Sequence, residues 1–178
     1  DNEKQVKALI YSLSISSLVM ALIGLTQFWG KDFFMTDFGK NLILPKAYEH
    51  LKDTLNFTFA ASKATYGTLY NINYVGVYTS MIFTISITLV LLLKDKKQKL
   101  FFLLVSAANF LTLLGSRSRA ALLSFGVYIV LAIIFYRRQI KHSLRFFTLA
   151  FVVILVIFFG VNSALDGTVT DRLISGLK

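Results

Sequence analysis

Five uncharged, predominantly apolar stretches divide this chain, at residues 8–29, 74–93, 100–114, 120–136 and 146–164. Within each, apolar positions run on continuously and do not alternate with polar ones. That pattern predicts helices rather than the strands of a membrane barrel. A helix needs about 20 apolar residues to cross the hydrocarbon core. The expectation is therefore an all-α, polytopic helical membrane protein with about five transmembrane helices. Between the spans lie one long polar segment, 30–68, and two short ones, 94–99 and 137–145. Inside the long segment, residues 45–55 place Tyr48, Leu51 and Leu55 at helical spacing behind Pro45. This predicts a short amphipathic helix lying along the membrane surface.

Composition agrees with that pattern. Of 178 residues 56% are hydrophobic and 15% aromatic, with one proline and no cysteine, which is too apolar for an ordinary soluble domain. The first stretch is too long for a signal-peptide core and lacks a small-residue cleavage site, so it is expected to be retained as a span. Asp1 is not a start methionine and Lys178 ends a polar stretch. Residues 1–178 thus read as a single membrane-embedded piece of a longer chain. The absence of cysteine excludes disulfides and thiolate metal sites.

The net charge of +10 would suit a nucleic-acid binder, but its distribution argues otherwise. Segments 94–99 and 137–145 together hold +7 of it, whereas 30–68 carries five lysines against four acids. Short basic loops lie on the cytoplasmic side, so both are expected there, with no nucleic-acid partner. The N-terminus is then cytoplasmic, the 30–68 loop is external, and the tail after 164 is external. Between the two basic loops the chain crosses out and back. Its outer tip is Gly115-Ser-Arg-Ser-Arg119, where Arg117 and Arg119 interrupt an uncharged stretch from Leu100 to Tyr136. Trp29 and Tyr70 fall at the expected outer boundary and Tyr136 at the inner one, where amphipathic rings prefer to sit.

Few residues carry chemistry. Gly76, Ser80, Thr84 and Thr88 recur every fourth position, a stripe that lets another helix approach closely. Asn109, Thr112 and Ser116 share one face leading to the arginines; helix pairing is the favoured role, with a polar track to the surface as the alternative. His50 falls on the surface helix and His142 in a basic loop, both with solvated positions expected, and the outer acids pair at no telling spacing. The hairpin stretches, about 15 and 17 residues, are short for a span. That would sink the Arg tip slightly below the outer surface. Guanidinium forks bind phosphate bidentately and stay charged in a low dielectric. On composition alone, a lipid-diphosphate site and a pair of snorkelling interface arginines fit equally.

Residues 66–81, Tyr-Gly-Thr-Leu-Tyr-Asn-Ile-Asn-Tyr-Val-Gly-Val-Tyr-Thr-Ser-Met, followed one helix later by 111–123, Leu-Thr-Leu-Leu-Gly-Ser-Arg-Ser-Arg-Ala-Ala-Leu-Leu, resemble the O-antigen ligase and O-antigen polymerase superfamily. There a Gly-Thr-x-x-Asn-Pro-Asn-Tyr motif opens a helix and a Thr-x-Ser-Arg motif follows. Gly67, Thr68, Asn71, Asn73 and Tyr74 match the first, with Ile72 where proline is usual. Either Ser116-Arg117 or Ser118-Arg119 is the counterpart of the second. The resemblance covers most of residues 60–137. It implies a bacterial cytoplasmic-membrane glycosyltransferase of the ligase or polymerase type, without metal or cofactor. Such an enzyme moves a glycan from an undecaprenyl-diphosphate donor to a glycan, lipid or protein hydroxyl at the outer face, in assembly of O-antigen, capsule or a related surface polysaccharide. It also implies arginines on the diphosphate, here Arg117 or Arg119, and an acceptor-activating histidine in an outer loop, expected beyond Lys178. Arg172, at the opening of that loop, is a possible further diphosphate contact that no motif supports. A lipid-oligosaccharide flippase or other transporter is the main alternative, although the paired half-helices or internal repeats of transporters are not visible. A non-enzymatic membrane scaffold is the third.

Overall fold

The computed structural model describes residues 2–54 and 64–164, the side chains of 142–147 and 149–164 excepted. It is helical: α1 (Asn2–Phe28), α2 (Asp37–Ile43), α3 (Ile72–Leu92), α4 (Lys96–Ser116) and α5 (Arg119–Ala164), with short 3₁₀ turns at Phe33–Met35 and Lys46–Leu51. Among the described residues four helical stretches are long and apolar enough to cross a membrane: α1, α3, α4 and the Arg119–Lys141 part of α5.

The chain's own capping chemistry sets the ends of these helices. Past Phe28, the Gly30 N–H donates to the Gln27 carbonyl and the Lys31 N–H to the Thr26 carbonyl. Gly30 takes φ +76° between them. This is the paired 5→2 and 6→1 closure that glycine permits without a Cβ penalty. Asn71 caps α3 by accepting from the Asn73 N–H at 2.9 Å, and Asp95 caps α4 by accepting from the Gln98 N–H at 2.8 Å. Such caps satisfy backbone donors that the first helical turn leaves orphaned.

Three expectations are corrected here. Segment 137–145 is not a loop: α5 passes through it, interrupted only at Tyr136 (φ −108°, ψ 17°). Charge marks where apolar sequence stops, but Arg, Gln, Lys and Leu are good helix formers and no Gly or Pro breaks the run. The expected fifth span, 146–164, is the continuation of α5. Nor is α4 short, at 21 residues. Its polar flanks, Lys96–Lys99 and Gly115–Ser116, join the helix and bring it to about 31 Å, a full crossing. In place of the expected helix over 45–55 there is a 3₁₀ turn at Lys46–Leu51, with Tyr48 out of helical geometry and Pro45 as its N-cap; Leu55 lies outside the described residues. Helix α2, capped by Thr36 Oγ1 on the Gly39 N–H at 3.0 Å, lies just before that turn.

Many of the buried positions are polar, beside apolar ones such as Val75, Phe102 and Leu113. The buried residues include Ser14, Ser17, Thr79, Ser86, Ser106, Asn109 and Thr112, while Leu22, Val77, Met81, Leu123 and Phe135 are exposed. Small and hydroxyl residues inside with large apolar ones outside suit a bundle whose solvent is lipid. Helices α1 and α4 run parallel: Tyr11 meets Phe101 and Phe102 at one end, and Asn109 Nδ2 donates to Ser17 Oγ at 3.1 Å midway. At the other end Gly24 abuts Thr112. Helix α3 runs antiparallel to α4, with Phe83 stacked on Phe110, and parallel to α5, where Thr88 Oγ1 lies 3.0 Å from Tyr128 Oη. The Gly76-Ser80-Thr84-Thr88 stripe therefore serves packing at both ends. Asn109, Thr112 and Ser116 are fully buried, and the last two hydroxyls return to their own helix, so this face is a helix seam and not a route to the surface.

Candidate functional site

At the end of the bundle away from the basic segments, three pieces of chain converge: the end of α1, the strip 64–76 and the α4–α5 turn. Gln27, 2% exposed, ties the first two together. Its Oε1 accepts from the Tyr66 N–H at 3.0 Å and the Gly67 N–H at 2.7 Å; its Nε2 donates to the Gly67 carbonyl at 3.3 Å and to Asp32 Oδ1 at 3.4 Å. Thr65 makes the other joints. Its hydroxyl donates to the Gly24 carbonyl and its N–H to the Gly115 carbonyl, each at 3.0 Å. Tyr66, buried, donates its phenol to Asp32 Oδ2. Burial first, then the hydrogen bond and charge of Asp32, push that phenol far above its ordinary pKa, so it stays a donor.

Helix α3 meets the α4–α5 turn just past the first motif, at Gly76. A Cβ on Gly76 would lie 2.5 Å from Ser118 Cβ and 2.9 Å from Ser116 Oγ and Ala121 Cβ. Only glycine lets α3 approach the turn this closely. Gly76→Val is accordingly expected to destabilise the bundle by about 1–3 kcal/mol. Gly126→Val, where a Cβ meets nothing within 4 Å, should be neutral. Equal melting temperatures for the two in detergent would refute the close contact.

The structure separates the motif residues by role. Gly67 is buried in the left-handed region (φ +54°) against Met20 and Val75, and Asn71 is the α3 cap. Ser116 accepts from the Ser118 N–H, and Ser118 from the Ala121 N–H, both at 3.4 Å; both serines are buried. These four shape the backbone. Thr68, Asn73 and Tyr74 are exposed at the entry of α3.

The arginines differ from each other. Arg117 closes α4 in the left-handed conformation (φ 55°, ψ 20°), a region that L-residues other than glycine and asparagine avoid. It is half-buried, and its Nε is fully buried with no hydrogen-bond partner among the described residues. Arg119 is exposed at the first position of α5. The ion pairs among the described residues are Lys7–Glu3 and Lys52–Asp37, so neither arginine has a carboxylate. Two cations thus stand on either side of a buried serine with no carboxylate partner among the described residues. One of them carries an orphaned donor that an anionic oxygen would satisfy.

His50 is exposed, away from these residues in sequence and in a 3₁₀ turn. His142 lies on α5 at the basic end, with its side chain outside the described residues, as is all of Arg172. Gln27 and Thr65 belong to no motif, Asp32 counts in the sequence only as an acid without a telling partner, and Tyr66 only as the first residue of the 66–81 stretch, although these four hold the site together. Gln27 alone had a signal: it is an amide near the end of an apolar span, and such groups need a partner. No family model, no curated protein and no solved structure matches this chain.

Proposed function

We propose that this chain forms the donor-binding portion of a membrane glycosyltransferase. It transfers or polymerises glycans from an undecaprenyl-diphosphate-linked donor at the outer face of a bacterial cytoplasmic membrane, to a glycan, lipid or protein hydroxyl. The observation that carries this reading is Arg117: a cation in a strained turn, with a buried Nε that has no acceptor among the described residues. Strain and an unsatisfied donor each cost stability and persist where the surroundings over-determine them, commonly at ligand-binding sites.

In this reading Arg117 is the principal contact to the diphosphate. Arg119, at the N-terminus of a long helix where the macrodipole also favours anions, is the secondary one. As the glycosyl bond breaks, negative charge builds on the departing diphosphate. A guanidinium already in place stabilises that charge without reorganising. Exposed Thr68, Asn73 and Tyr74 border the entry to α3 and are assigned to the sugar-bearing side of the donor.

The test is transfer of label from a lipid-linked oligosaccharide to acceptor by membranes containing the full-length protein. The double variant Arg117→Ala/Arg119→Ala is expected to abolish product; full transfer by it would refute the assignment. Orientation is checked separately. A cysteine replacing Lys40 should react with an impermeant thiol reagent in intact cells, and one replacing Lys97 should not.

A further inference from the structure

At the opposite end of the bundle, Lys94, Lys99 and Arg138 line a cavity of about 580 Å³ together with Leu91, Leu92, Leu93 and Gln139. Its size is in the range of small-ligand sites. Two parts of the chain far apart in sequence supply the cations: the α3–α4 connection with the first turn of α4 gives Lys94 and Lys99, and α5 just past its Tyr136 kink gives Arg138. The kink follows the last apolar turn of the fourth span and brings Arg138 to the other two. None of the three cations has a carboxylate partner among the described residues. Asp95, the acid nearest in sequence, is committed to the α4 cap. Repulsion among three gathered cations is unfavourable unless something negative lies between them.

A second cavity, of about 210 Å³, shares Leu91 with the first and runs between α3 and α5 over Phe83, Phe125, Tyr128 and Ile140. Its walls are almost wholly apolar, and it lies in the part of the bundle whose outer faces are lipid-facing. A cationic pocket that shares the wall residue Leu91 with a neighbouring apolar groove matches a ligand with an anionic head and a hydrocarbon tail. Basic pockets between transmembrane helices on the cytoplasmic side hold lipid head groups of this kind. A lysine that only snorkels to the interface needs no such groove.

We propose that the basic end of α3, α4 and α5 is a specific site for an anionic glycerophospholipid of the bilayer. Lys94, Lys99 and Arg138 hold the phosphate, and one acyl chain lies in the α3–α5 groove. The site is independent of the donor reading, being at the other end of the bundle.

The test is native mass spectrometry of the purified protein equilibrated with mixed phosphatidylglycerol and phosphatidylcholine. One phosphatidylglycerol is expected to be retained in preference to phosphatidylcholine. Lys94→Gln, Lys99→Gln and Arg138→Gln should lower that preference by about fivefold per cation removed. Lys94 and Arg138 are exposed and Lys99 half-exposed, so these variants should fold, with melting in zwitterionic detergent as the control. Ile133→Trp, filling the groove wall, should weaken retention of the lipid with the three cations intact. Equal retention of both lipids by the wild type would overturn the proposal, and so would an unchanged preference in the triple Gln variant. Displacement of the lipid by soluble glycerol phosphate at matching concentration would do the same, marking a free-anion site. A lipid-free dimer closed over this face would assign the groove to a second copy instead.

Discussion

Arg117→Lys is expected to lower glycan transfer about 10²–10³-fold, the usual cost of removing one preorganised electrostatic donor, whereas Arg119→Lys should stay within about tenfold of wild type. The asymmetry follows from burial. Arg119 is exposed, so its charge is screened by water and salt, and a lysine there supplies nearly the same field. Arg117 is half-buried with a fully buried Nε, where the dielectric is lower and the planar fork cannot be replaced by a point charge. A fall in kcat with KM little changed would mark a contact made mainly in the transition state. Equal losses at the two positions would remove the distinction between them. A structural role for Arg117 has its own signature. Its φ of 55° costs a non-glycine residue roughly 1–2 kcal/mol. Arg117→Gly should therefore melt no lower than wild type while being inactive. A lower melting temperature together with retained transfer would make Arg117 part of the scaffold instead.

The second large effect is expected at Gln27. Replacing it with Leu leaves the buried Tyr66 and Gly67 N–H groups without an acceptor and the Gly67 carbonyl without a donor. An orphaned buried donor costs about 1–3 kcal/mol, so Gln27→Leu should cost about 2–4 kcal/mol at the Arg117 end of the bundle. Strip 64–67 bridges α1 to Gly115, so its release should also loosen the turn that carries Arg117, and transfer should fall with stability. Gln27→Glu distinguishes hydrogen bonding from packing. A carboxylate still accepts from both N–H groups, but it cannot donate to the Gly67 carbonyl and it faces Asp32. It should fall between wild type and the Leu variant in melting temperature. A Leu variant as stable as wild type would show that the network contributes nothing.

How much of this was legible beforehand follows from the physics of each feature. Burying backbone in hydrocarbon requires uninterrupted helix, so apolar runs announce spans directly; α1, α3 and α4 lie where those runs are. Segment 137–145 was less legible, because charge reports exposure to water and does not report backbone conformation. The Gly76 stripe pointed correctly to packing, since close approach demands small side chains whatever the partner. The outer network was illegible for a different reason. Thr65 and Tyr66 are ordinary residues of a polar segment, and nothing local tells that the end of α1, with Gly24 and Gln27 about 40 positions earlier, binds it.

The sequence by itself determined that the chain is helical and built for a membrane, that its charge gathers in two short segments, and that two arginines break an apolar stretch. These are properties of composition and periodicity, each set by whether residues prefer water or hydrocarbon. Ser116-Arg117 and Ser118-Arg119 are the same dipeptide twice, with the same chemistry and the same neighbours in kind. Only the tertiary structure made them unlike. In it Arg117 takes the left-handed turn with one guanidinium nitrogen buried and without an acceptor among the described residues, and Arg119 stands in the open. That difference arises from contacts among residues distant in the chain, which no local pattern encodes.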